Sequence, residues 1–100
     1  MKAAIWWTSP ESKYKAEEKF DQIVENYKFC NIDPIRLTVA KERREVWFPN
    51  GDVWYCLAPL TNVRGLKVNL SYIPHEEYGQ VKEIAQCCTV SLPFNGIIYY

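Results

Sequence analysis

The residues best equipped for chemistry stand together at His75-Glu76-Glu77. His75 is the only histidine of the chain, and two carboxylates follow it directly. An imidazole titrates near neutral pH, and a neighbouring carboxylate can orient it. With a thiol such as Cys87 or Cys88 the trio would serve a cysteine–histidine hydrolase, although no spacing requires those groups to meet. The same residues also have a purely structural reading. After Pro74 they open a helix, where the dipole favours acids in the first turn and a histidine is solvated. His75, Glu76 and Glu77 are therefore candidates, and no catalytic residue is assigned.

The remaining polar clusters point to binding. Lys41, Arg43 and Arg44 form a basic group, interrupted by Glu42 and followed by Glu45. Beside Trp47 and Trp54 it would offer phosphate contacts and stacking to single-stranded nucleic acid, while the acids blunt it. Trp47, Trp54, Tyr99 and Tyr100 are candidate interface anchors, because large aromatics carry much of the energy where proteins meet. Cys30, Cys56, Cys87 and Cys88 contain no C-x-x-C pair, so they read as buried, reduced thiols. Neither a metal nor a cofactor is expected.

The elements that must hold these residues are legible along the chain. Residues 2–8 form a short buried strand, and Ser9-Pro10-Glu11 is a helix start. Ala16, Phe20, Ile23, Val24 and Tyr27 recur at helical spacing, predicting an amphipathic helix to about Phe29 that Asn31 and Asp33-Pro34 end. Residues 36–40 alternate weakly. Residues 45–48 and 53–57 then read as a hairpin around Asn50-Gly51. A two-residue loop there sets Trp47 opposite Trp54, with both tryptophans on one face and Val46, Phe48, Val53, Tyr55 and Leu57 on the other. Residues 68–73 form another strand, and a shorter helix follows with Val81, Ile84, Ala85 and Cys88 on one face. Residues 89–92 read as a core strand and 97–100 as a closing edge strand.

This order resembles the middle of the ATPase core of phage large terminases and related helicase-like P-loop motors. The resemblance rests on Ile5 to Pro10 leading into a helix, the Asn50-Gly51 hairpin, the Val63-Arg64-Gly65 loop, and the strand Leu70-Ser71-Tyr72-Ile73 running toward Glu76-Glu77. It covers residues 3 to 78. It implies Mg²⁺ binding at Glu76, polarisation of an attacking water at Glu77, and a nucleotide- or DNA-sensing loop at Arg64, which makes Arg64 a further candidate for nucleic-acid or phosphate binding. The chain departs from the family at Pro74 and His75, which separate strand from acids, and it has no G-x-x-x-x-G-K-[ST] segment. Without that cradle nothing holds the terminal phosphates, so ATP hydrolysis is not expected.

Length and composition bound the rest. One hundred residues, 48% of them apolar and 24% charged, suit one globular domain. Twelve basic and twelve acidic residues cancel, leaving no global field to steer the chain onto nucleic acid or an anionic membrane. No apolar run approaches the ~18 residues that span a bilayer, and the start is too short for a signal peptide, so a cytoplasmic protein is expected. The predicted fold is α/β: a mixed sheet of five to six strands with two helices in the order βα-ββ-β-βα-β. A ferredoxin-like α+β sandwich is the alternative. The expected function is a non-catalytic protein-binding module of viral or mobile-element origin, with homo-oligomerisation open. A nucleic-acid-binding accessory and a truncated P-loop ATPase subunit are the alternatives.

Overall fold

A computed structural model describes residues 1–59, 65–89 and 96–100. The elements are β1 (Lys2–Trp6), α1 (Pro10–Phe29), β2 (Arg36–Val39), β3 (Arg43–Trp47), β4 (Val53–Leu57), β5 (Leu70–Ile73), a 3₁₀ turn at His75–Glu77, α2 (Tyr78–Cys88) and β6 (Ile97–Tyr99). They build one mixed sheet in the order β2-β3-β4-β1-β5-β6. β1 runs parallel to both β4 and β5, and β5 parallel to β6, whereas β2, β3 and β4 are joined as antiparallel hairpins.

The centre of the sheet follows from the composition of β1. Ala3, Ala4, Ile5 and Trp6 are all fully buried, so both faces of this strand must be covered. Ala3 and Ile5 point to a cluster with Ala16, Phe20 and Val24 of α1. Ala4 and Trp6 point to a second cluster with Val81, Ala85 and Cys88 of α2. The helices therefore lie on opposite faces of a partly parallel sheet. The ferredoxin-like alternative, an antiparallel sheet with both helices on one face, is ruled out by this arrangement.

Local signals at the ends of α1 work as expected. Ser9 caps the helix: its Oγ accepts from the Ser12 amide at 3.1 Å, and the Ser12 Oγ accepts from the Ser9 amide at 3.0 Å. A serine thus fills the place usually taken by glutamate in a capping box. At the other end Asn31 adopts a left-handed φ of 62°. The Asn31 amide donates to the Lys28 carbonyl and the Ile32 amide to the Tyr27 carbonyl, with Ile32 and Tyr27 both packed on the core. This is a Schellman ending with its hydrophobic contact.

The β3–β4 hairpin corrects the predicted register by one residue. Phe48 donates to the Asp52 carbonyl and Gly51 to the Phe48 carbonyl, so the loop is Pro49-Asn50-Gly51, with Gly51 at φ 92°. Proline takes the first corner of a type I turn, and glycine supplies the left-handed bulge that follows. Trp47 consequently pairs with Val53, and Val46 with Trp54. A one-residue slip exchanges faces. Val46, Phe48, Trp54 and Cys56 face α1, whereas Trp47, Val53, Tyr55 and Leu57 face α2.

On the α2 face the Trp6 indole N–H donates to the Ser71 hydroxyl at 3.1 Å, and Ser71 shares a 2.7 Å hydrogen bond with Thr89. Ser71 is fully buried. Ser71→Ala leaves the indole N–H without its acceptor, and a loss of about 1–2 kcal/mol is expected in denaturant melts. Val68 bridges to Thr89 in parallel; the rest of the predicted strand at 89–92 lies outside the described residues. Cys56 and Cys88 are buried as expected, but Cys30 and Cys87 are exposed. Cys30 sits at the helix cap and Cys87 on the outer side of α2. Burial pushes the Cys56 thiol up to about 12, so it packs as an inert apolar group.

Candidate protein-binding face

His75 and Glu76 come to the carboxyl end of β5, beside the first turn of α1. The connections leaving β1 and β5 depart to opposite faces of the sheet, so this end is a topological switch point. A cleft of about 190 Å³ opens there, lined among others by Glu11, Lys15, His75, Glu76 and Tyr100. The last residues of the chain hold its wall. The His75 amide donates to the Tyr100 carbonyl at 2.8 Å and the Tyr100 amide to the Ile73 carbonyl at 3.0 Å. The Tyr100 hydroxyl donates to the Trp6 carbonyl, and the exposed His75 ring meets Tyr99 edge-on, centroids 5.8 Å apart. Tyr99 and Tyr100 thus serve the carboxyl end of the sheet, and Tyr99 remains half exposed.

This cleft does not fit the nucleotide phosphates that the motor resemblance implies. The β1–α1 turn, Trp7-Thr8-Ser9-Pro10-Glu11, has no glycine and no lysine. The Ser12 amide is already occupied by Ser9, and the one lysine of the lining, Lys15, is offset by Glu11 and Glu76. Of the implied site residues, the Glu77 side chain and the whole of Arg64 lie outside the described residues. Among the described residues no three His, Cys, Asp or Glu side chains converge as a metal site.

The basic cluster is divided by the pleat. Arg44 lies on the α1 face, with Nη2 at 2.9 Å from Glu17 and Nη1 at 3.3 Å from Asp21. Arg43, one residue earlier, points to the other face, 3.6 Å from Glu45 and stacked over Tyr55 at 5.1 Å. Lys41 is exposed in the β2–β3 turn. The three cations therefore do not share one surface. The tryptophans are divided in the same way. Trp54 is only 6% exposed, donates to the Tyr27 hydroxyl at 3.1 Å and stacks on Tyr72. Trp47 is half-buried with its N–H on Glu45 at 2.8 Å. Trp47 and Trp54 therefore do not share a face, as a two-residue loop would have required.

The surface left open is one that the sequence reading did not single out. β2 is the sheet edge, and all four of its residues are exposed. Its apolar positions stand on one face. Leu37 lies opposite Val46, which packs in the α1 cluster, so Leu37 and Val39 share that side. Ile35 is 68% exposed, Leu37 51% and Val39 61%. Between Leu37, Val39 and α1 runs a groove of about 370 Å³, floored by Phe20 and Val24 and rimmed by Asp21, Glu25, Lys28 and Arg44.

The backbone of this edge is also open. Ala40 donates to Arg43 across the β2–β3 turn at 3.0 Å. With the register Thr38–Glu45 and Arg36–Trp47, the bonded pairs fall on even-numbered residues. The N–H and C=O groups of Leu37 and Val39 therefore point away from β3, where no described strand meets them. An alternating apolar run beside Arg36 and Thr38 was the available signal. Edge position is set by strand order, which local pattern does not encode.

Compared with family models, curated proteins and solved structures, the chain matches none. No described helix is long and apolar enough to cross a membrane. Among the described residues, the geometry offers a strand paired on one side only, with an apolar face.

Proposed function

We propose that this domain is a non-catalytic protein-binding module that works through the β2 edge. The observation carrying this reading is the coincidence of open backbone groups at Leu37 and Val39 with exposed apolar side chains at the same two residues. Strand addition uses both: main-chain bonds give affinity, and alternate side chains give selectivity. Natural edges of this kind are usually blunted by charge, proline or a bulge. Here Arg36 lies on the opposite side of the pleat, and the apolar side carries no charge between residues 35 and 39.

The test is affinity purification with the wild-type chain and a Leu37→Lys/Val39→Lys variant, followed by crosslink mapping. A protein retained by the wild type, crosslinked at 35–39 and lost from the folded variant is the expected result. Partners that bind both chains equally would place recognition elsewhere and sink the proposal.

A further inference from the structure

We draw no further inference here: the strongest candidate, the open β2 edge with its groove against α1, belongs to the site already described, and nothing in the structure shows what covers it.

Discussion

Trp54→Ala is expected to destabilise the domain by about 3–5 kcal/mol, and Trp47→Ala by clearly less, about 1–2 kcal/mol. Trp54 is enclosed between α1 and the sheet, stacked 5.8 Å from Tyr72, with its N–H held by Tyr27. Truncation removes a large apolar side chain from a packed cluster and leaves a cavity that the surrounding strands cannot close. Trp47 lies on the other face near the sheet margin, half-buried, with its N–H on a partly exposed glutamate. Its loss opens a surface notch that water can fill. Urea melts of both variants, at equal slope, measure the difference. Equal losses would mean that the two rings share a face, as a two-residue hairpin loop would require.

That comparison turns on the least legible part of the sequence. Asn50-Gly51 announces a hairpin, and the hairpin is there. Whether its loop holds two residues or three depends on Pro49. Proline favours the first corner of a type I turn, and the bulge that follows puts glycine at positive φ. The local dipeptide signal does not register that choice, and the pleat turns one residue of error into an exchange of whole faces. The same exchange separates Trp47 from Trp54, while the pleat by itself sets Arg43 and Arg44 on opposite faces, so the basic aromatic surface dissolves. Helix signals survived better because each is settled within a turn of chain: Ser9 and Pro10 start α1, and Asn31 ends it.

Strand order is a different case. The element order βα-ββ-β-βα-β was readable, yet it is compatible with sheets of different topology. What discriminates them is the four-residue burial of β1, which needs a helix on each face. The run Ala3-Ala4-Ile5-Trp6 carries that information only once it is recognised as lacking any polar position. The open edge at β2 follows from the same topology. With β1 central and flanked by β4 and β5, the hairpin chain β4-β3-β2 must run outward, and its last strand has no neighbour left among the described residues.

A buried-edge network supplies the last prediction, which concerns pH as well as stability. Tyr27 donates to Asp52 Oδ2 at 2.6 Å while accepting from the Trp54 indole, and its ring stacks on Phe48 with centroids 3.8 Å apart. Asp52 also accepts from the Asn50 side chain at 3.2 Å and pairs with the Met1 amine at 3.1 Å. The Tyr27 hydrogen bond, with these further donors, holds the Asp52 carboxyl below its ordinary value against a smaller opposing effect of burial. Burial, then the neighbouring Asp52, pushes the Tyr27 phenol above its own. A depressed carboxyl contributes stability that is complete above the unfolded-state value near 4 and is lost as pH falls through the folded one. A raised phenol contributes stability that is complete below about 10 and is lost as pH rises through its folded value. The network is therefore intact across the neutral range and fails at both ends. Asp52→Ala removes the acceptor that several donors share and is expected to cost about 2–3 kcal/mol at neutral pH, with Tyr27→Phe costing about 1–2. The two losses should be less than additive, because both break the same bond. Melts of the wild type and Asp52→Ala should converge as pH falls below about 4, where the wild-type carboxyl also takes up its proton. A constant gap down to acid pH would mean that Asp52 contributes by packing alone.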